Sequence, residues 1–159
     1  MEKEAVANTS SLLFLAKLKR LDLVKSIFFH ILIPKQVLEE IFSKNKPENI
    51  VIKNELREFL KEIEVKQLKD FTLDKGEKAA ISLCLEKNIK TFISDDKKAR
   101  KIARSLEIET LGLVGIILHN LEISKITKKE ALKLIEELIK NGYYMSSSLY
   151  TKVIQVINT

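Results

Sequence analysis

Several residue types that narrow the function of a protein are scarce in this chain. Its 159 residues include one cysteine, two prolines, four glycines and no tryptophan. The single cysteine, Cys84, excludes an internal disulfide, and its place in the apolar run AAISLCLE predicts a small buried side chain. The scarcity of glycine and proline disfavours long irregular loops. The sequence also contains no glycine-rich phosphate loop, zinc-binding pattern or nucleophile elbow.

Long hydrophobic runs are missing as well. The opening MEKEAVANTS carries charge where a secretion signal would be apolar, so we expect no signal peptide. The most apolar stretch, LGLVGIILHNL, is too short to span a bilayer. These absences predict a soluble, cytoplasmic protein without a membrane segment.

The composition is that of a globular protein with a basic balance. Hydrophobic residues make up 45% of the chain, which is enough for the core of one domain. The 28 lysines and arginines outnumber the 22 acids, giving a formal net charge of +6. A positive balance favours polyanionic partners, with RNA and DNA the first candidates.

Short β-rich runs alternate with longer helical runs along the chain. The strand candidates are EAVAN, FHILIP, IEVKQL, KTFIS and IETLGL. The helical runs between them are SSLLFLAKLKRLDLVKSIF (broken near Lys19-Arg20), KQVLEEIFSK, NELREFLKEI, DKGEKAAISLCLEKN and DKKARKIARSLE. This alternation predicts an α/β protein, a three-layer α/β/α sandwich around a central parallel sheet. We expect residues 1–159 to form one domain, with 114–159 a helical extension packed on it.

Polar residues lie at the carboxyl ends of two of the strand candidates. Asn8 is the last residue of EAVAN, and Asp95 and Asp96 come directly after KTFIS. In parallel sheets, sites form beyond the carboxyl ends of the strands, so these side chains are candidates for one site. The acidic pair suits a hard cation such as Mg²⁺ or Mn²⁺, although capping of the next helix is an equally good interpretation.

Other acids and bases have ordinary structural explanations beside the functional one. Asp74-x-x-Glu77 has the pattern of a helix N-terminus. Glu39 and Glu40 flank the apolar face of a short helix, and periodicity does not choose between them. A basic stripe beyond the acidic pair forms either a solvated face or a phosphate-binding surface, and its members are Lys97, Arg100, Lys101 and Arg104. His30 and His119 lack metal-ligand spacing, so structural roles are expected.

Taken together, these segments resemble the PIN-domain family of metal-dependent ribonucleases. The resemblance covers most of the chain and rests on the ordered set NTSSLLFLAKLKRLDLVKSIF, ILIPKQVLEEI, GEKAAISLCLEKN and FISDDKKARKIA. The tail segments LGLVGIILHNLEISKI and NGYYMSSSLYTKVI are similar to a prokaryotic subgroup close to VapC-type toxins.

The resemblance implies a compact site for one or two Mg²⁺ or Mn²⁺ ions. Its ligands would be Asn8, Glu40, Glu77 and Asp96; Glu40, Glu77, Asp95 and Asp96 would carry catalysis. Ser10 matches a small polar position near the site and, with the basic stripe, would bind substrate. The resemblance thereby favours Glu40 over Glu39. Asn8 departs from the family, which usually has Asp there, and the missing charge implies weaker metal binding.

The sequence therefore predicts a Mg²⁺- or Mn²⁺-dependent endoribonuclease, the toxin of a toxin–antitoxin pair. The implied partners are RNA, an antitoxin protein and a second copy of the chain in a homodimer. The alternative is a catalytically weak RNA- or protein-binding module that kept the fold, which Asn8 favours. A phospho-acceptor domain would need a strand-end lysine beyond a lone aspartate, and no such pair is found in the sequence.

Overall fold

A computed structural model describes residues 2–159 of the protein. By main-chain proximity the chain divides after Gly112 into two compact units. The first contains all five strands and six helices of the described residues, and the second contains three helices.

The five strands form one parallel sheet in the first unit. They are β1 (Glu2–Ala7), β2 (Phe28–Pro34), β3 (Leu60–Ile63), β4 (Thr91–Ile93) and β5 (Glu109–Leu111). Their order is β3-β2-β1-β4-β5, and every neighbouring pair runs parallel. Helices flank this sheet, which confirms the predicted three-layer α/β/α sandwich.

Six helices connect or follow these strands. They are α1 (Thr9–Lys17), α2 (Asp22–Lys25), α3 (Lys35–Phe42), α4 (Asn49–Glu55), α5 (Lys75–Lys87) and α6 (Lys97–Ser105). The predicted break near Lys19 is confirmed, because Lys19 adopts a left-handed conformation with φ of 57° between α1 and α2.

Small and branched apolar side chains hold the helices on the sheet. On α5, Ala79, Ala80 and Leu83 are fully buried, and they belong to one cluster with Val6 of β1 and Phe92 of β4. Each aliphatic side chain of the size of leucine that is buried in this way contributes about 1.5–3 kcal/mol to folding. This packing fixes the start of α5, which carries Asp74 and Glu77, against the ends of the central strands.

The prediction for the third strand was wrong in position. The strand is Leu60–Ile63, where the sequence indicated IEVKQL, and the helix predicted for NELREFLKEI ends at Glu55. Ile52, which is fully buried, anchors that helix earlier in the chain, and Leu60 then pairs with Ile31 of β2. Tertiary pairing overrides the helix propensity of REFLKEI, which local sequence alone could not reveal.

The second unit contains α7 (Leu113–Glu122), α8 (Lys128–Lys140) and α9 (Ser147–Asn158). Thr127 and Glu130 form the reciprocal capping box that the sequence pattern T-x-x-E indicates. Ala131, Leu134, Ile135 and Leu138 of α8 are buried, as are Val153 and Ile157 of α9. Among the described residues, no helix is long and apolar enough to cross a membrane.

The strand order fixes where a site can form. From β1 the chain adds β2 and then β3 on one side, and it returns to place β4 and β5 on the other side. The crevice between the carboxyl ends of β1 and β4 is therefore the topological switch point of the sheet. Asn8 follows β1 and Ser94 follows β4, so both border this crevice.

Candidate functional site

Asn8 joins the two central strand ends. Its main-chain N–H donates to the carbonyl of Ile93 at 3.1 Å, and its buried side chain caps α1 by accepting from the N–H of Ser11 at 3.1 Å. Because the Ser11 N–H can only donate, the atom facing it is Oδ1, and the amide nitrogen of Asn8 faces the other way. That nitrogen donates to Ser94 Oγ at 3.0 Å.

Ser94 carries this link on to the acidic pair. It is fully buried, and its Oγ accepts from the Asp96 N–H at 3.1 Å as well as from Asn8. The Ser94 hydroxyl therefore fixes Asn8, the first predicted ligand in the chain, relative to Asp96, the last one.

Asp95 and Asp96 point to different surroundings. Asp96 caps α6, with Oδ1 accepting from the Ala99 N–H at 2.8 Å, and its charge is one of the causes that raise the pKa of Glu77. The Asp95 carboxylate lies 3.9 Å from the Arg100 guanidinium, and both side chains pack against Gly112. The structure thus uses Asp96 as the cap of α6 and holds Asp95 in an ion pair.

The start of α5 gathers three more acids. Asp74 caps this helix by accepting from the Glu77 N–H at 2.9 Å. A Cβ added at Gly76 would come within 2.7 Å of Glu40 Oε2, so the Glu40 carboxylate lies against the first turn of α5. The positive end of the helix dipole favours negative charge at this place.

These groups surround a cleft of about 190 Å³. Its lining residues are Asn8, Thr9, Ser10, Glu40, Asp74, Gly76 and Glu77. Glu40 is therefore placed in the cleft and Glu39 is not among its lining residues. Three of the four predicted ligands, Asn8, Glu40 and Glu77, line the cleft together with Ser10. Asp96 is not a lining residue, and its charge contributes to the raised pKa of Glu77.

Partial burial, together with the crowding of acids, raises the pKa of Glu77 from 4.5 to about 7. Partial burial is the largest cause, followed by the charges of Asp74 and Asp96, a side-chain hydrogen bond with Asp74 and the charge of Glu40. A cation bound among these carboxylates would offset the repulsion that now favours the protonated form.

The chemistry of the donor set fits a hard divalent cation. Carboxylate and amide oxygens are the ligands that Mg²⁺ and Mn²⁺ take in proteins. Thr9 Oγ1, which belongs to a lining residue, is buried without a hydrogen-bond partner among the described residues. Over residues 2–159, however, no three His, Cys, Asp or Glu side chains stand close enough together to hold a metal as they are. The fold brings the donors to one cleft without converging them.

The predicted basic stripe separates into two pairs. Arg100 donates to the Ser94 carbonyl at 3.2 Å, and Arg104 donates to Thr110 Oγ1 at 3.0 Å. Lys97 and Lys101 are exposed on the same helix, whose buried side carries Ala99 and Ala103. The arginines therefore tie α6 to the sheet side of the first unit, and the lysines face solvent.

Two residues bear on the site that the sequence did not single out. The pattern around Asp74 predicts a helix cap, and Asp74 is both that cap and a wall of the cleft. Ser94 ends a strand candidate, and its sequence context assigns it no role. The spacing Asp74-x-x-Glu77 places both acids at one helix start, which is the signal that could have identified Asp74.

The comparisons with known proteins agree with this architecture. A family model described as a PIN domain (DUF3368) matches residues 4–159, so the chain belongs to the PIN-domain family. No curated protein sequence matches the chain. Among solved structures, that of the PIN domain endonuclease Utp24 is similar, with a TM-score of 0.55 and 10% sequence identity. The similarity covers 69% of this chain and 84% of that one, and at this identity it shows the fold.

Replacement of Ser94 by alanine should destabilise the protein. Ser94→Ala leaves the buried Asn8 amide nitrogen and the Asp96 N–H without their acceptor, at a cost of about 1–3 kcal/mol. Chemical denaturation followed by circular dichroism measures the change. Ser105→Ala is the matched control, because Ser105 is exposed and its change should stay within about 0.5 kcal/mol. Equal effects of the two substitutions would contradict the role of Ser94.

Neutralising Glu77 should stabilise the metal-free protein at high pH. The folded protein holds a proton on Glu77 that the unfolded chain releases, so stability falls as pH rises from 4.5 to about 7. The side chain of Glu77→Gln does not titrate, so this variant does not lose stability in that pH range. Because the side chain is half-buried, solvent screening limits the gain above pH 7 to about 1 kcal/mol, or about 2–4 °C in melting temperature.

The measurement is thermal unfolding in EDTA at pH 4 and pH 8, with no difference expected at pH 4. Glu86→Gln is a control of opposite sign. The pKa of Glu86 is lowered because its carboxylate accepts from the N–H groups of Gln67 and Lys66. Loss of this carboxylate should therefore destabilise the folded protein at pH 8. A Glu77→Gln protein that melts lower than the parent at pH 8 would overturn this electrostatic account.

Proposed function

We propose that this protein is a divalent-metal-dependent endoribonuclease. The observation that carries the proposal is the cleft at the switch point of a PIN-family sheet, which is lined by oxygen donors from α1, α3 and α5. The formal net charge of the chain, +6 at pH 7, favours a polyanionic substrate. The structural similarity to a PIN domain endonuclease supports a nuclease in particular.

Glu40, Glu77 and Asp96 would hold Mg²⁺ or Mn²⁺, with Asn8 contributing its amide oxygen. When bound, the metal lowers the pKa of water and stabilises charge developing on the phosphate. The chain itself positions these donors, through the Asn8–Ser94–Asp96 hydrogen bonds and the contact of Glu40 with α5. Asp95, held by Arg100, lies beside Asp96 and is available to orient a water molecule.

Exposed lysines of α6 would follow the RNA backbone. Lys97 directly follows Asp96, and Lys101 lies one helical turn further along α6. An RNA strand that reaches the cleft can therefore pass along both lysines. Arg100 and Arg104 would act indirectly, by fixing the helix that carries the lysines.

We further propose that the protein is the toxin of a toxin–antitoxin pair, in a subgroup close to VapC-type toxins. The tail segments LGLVGIILHNLEISKI and NGYYMSSSLYTKVI support this placement by resemblance. An antitoxin with a basic side chain would complement the acidic cleft. A small gene directly beside this one would support the pairing, and its absence would count against it.

The second candidate function is a catalytically weak binding module. Two observations favour it: both polar groups of the Asn8 side chain are already hydrogen bonded, and the described carboxylates are not converged. Calorimetry with Mn²⁺ separates the candidates, since absence of binding at millimolar metal would support the module.

Cleavage of single-stranded RNA should require Mn²⁺ or Mg²⁺ and the acids of the cleft. Changes around metal ligands already cost 10–100-fold, so loss of a ligand should lower the cleavage rate by at least about 100-fold. Glu40→Gln and Asp96→Asn are the test variants, and asparagine keeps the capping of α6. A labelled RNA oligonucleotide measures the rate, with EDTA as the metal-free control.

Glu39→Gln is the matched control for Glu40→Gln, because Glu39 is an exposed acid on the same helix outside the cleft. The Glu39→Gln protein should cleave RNA at the same rate as the parent. Intact cleavage by Asp96→Asn would show that the site is wrongly assigned.

The exposed lysines of α6 should contribute to RNA affinity. Lys97→Ala or Lys101→Ala should weaken binding of single-stranded RNA and reduce the slope of log affinity against log salt by about 0.7 for each phosphate that the variant no longer neutralises. Fluorescence anisotropy over a range of salt concentrations measures both. Lys98→Ala is the control, since Lys98 is exposed on the same helix but lies off the stripe. An equal effect at Lys98 would indicate general charge attraction in place of a defined track.

A further inference from the structure

The site has an acid that the predicted ligand set does not include. With an amide at position 8, that set contains three carboxylates, on Glu40, Glu77 and Asp96. Asp74 borders the same cleft as Asn8, Glu40 and Glu77, and its side chain is exposed there.

The position of Asp74 is fixed by the helix that it caps. Its backbone is extended, with φ of −67° and ψ of 168°, and Oδ1 accepts from the Glu77 N–H at 2.9 Å. That cap holds the carboxylate at the first turn of α5. The point where Gly76 would carry a Cβ is 3.7 Å from Asp74 Oδ1 and 2.7 Å from Glu40 Oε2, so the two carboxylates flank one place on the helix.

Asp74 also lies close to Glu77. Its Oδ1 accepts from the Glu77 N–H at 2.9 Å, and both residues line the same cleft. Carboxylates held at one helix start repel each other, and a divalent cation bound beside them would relieve that repulsion.

We propose that Asp74 supplies to the metal site the carboxylate that Asn8 lacks. Glu40, Asp74, Glu77 and Asp96 then give the site four carboxylates, and Asn8 serves chiefly to join the ends of β1 and β4. This inference rests on the proposed metal-dependent function and assigns a ligand within it.

Asp74→Asn separates the charge from the capping role, because asparagine caps helices as well as aspartate does. The variant should keep the melting temperature of the metal-free parent within a few degrees and bind Mn²⁺ at least about tenfold more weakly in calorimetry. Asp70→Asn is the matched control, since Asp70 is an exposed acid of the same β3–α5 connection outside the cleft. It should bind Mn²⁺ as the parent does.

A second variant tests the exchange of charge across the cleft. In Asn8→Asp/Asp74→Asn the carboxylate moves to position 8, where the Ser94 hydroxyl can donate to it as readily as it now accepts from the amide. Mn²⁺ affinity should return to within about threefold of the parent.

The outcomes distinguish this inference from the proposed function. If the parent binds Mn²⁺ and cleaves RNA while Asp74→Asn binds equally well, the ligand role of Asp74 is overturned and the nuclease stands. If the double variant binds no better than Asp74→Asn, the exchange of charge between positions 8 and 74 is overturned. If the parent binds Mn²⁺ through Asp74 but cleaves no RNA, the ligand role stands and the proposed nuclease fails.

Discussion

The hydrogen bonds that join Asn8, Ser94 and Asp96 are the interaction on which the rest of the site depends. They connect the end of β1 with the end of β4 at the point where the order of the strands reverses. The link is held from within the protein, since Ser94 is fully buried and Asn8 nearly so. An amide serves here without disturbing the fold because the serine hydroxyl can accept as well as donate.

Helix capping and the candidate chemistry use the same side chains. Asn8 caps α1, Asp74 caps α5 and Asp96 caps α6, and each lies at or near the cleft. A cap must sit at a helix N-terminus, and the N-terminus in turn favours negative charge. The protein can therefore collect acids at one edge at a reduced electrostatic cost. Partial burial and the remaining repulsion between the acids together raise the pKa of Glu77 to about 7.

Local sequence failed where two structural states compete for the same residues. REFLKEI favours a helix, yet the pairing of Leu60 with Ile31 makes its end a strand. The carboxylates of α3 show a similar limit. Glu39 and Glu40 are equivalent by periodicity, and the family resemblance favours Glu40. In the structure the approach of α5 distinguishes them, because Gly76 leaves room for the Glu40 side chain. Both cases depend on neighbours that are distant in sequence.

The sequence by itself determined the α/β class, the order of strands and helices and the strand ends that carry Asn8 and Asp96, because alternating apolar patterns and capping residues are local signals. Tertiary structure alone decided which acids share a cleft. It brought Asp95 near Arg100, gave Arg100 and Arg104 acceptors at Ser94 and Thr110, and placed Glu40 against the first turn of α5. Those outcomes follow from through-space distance and charge, which the linear order of residues does not contain.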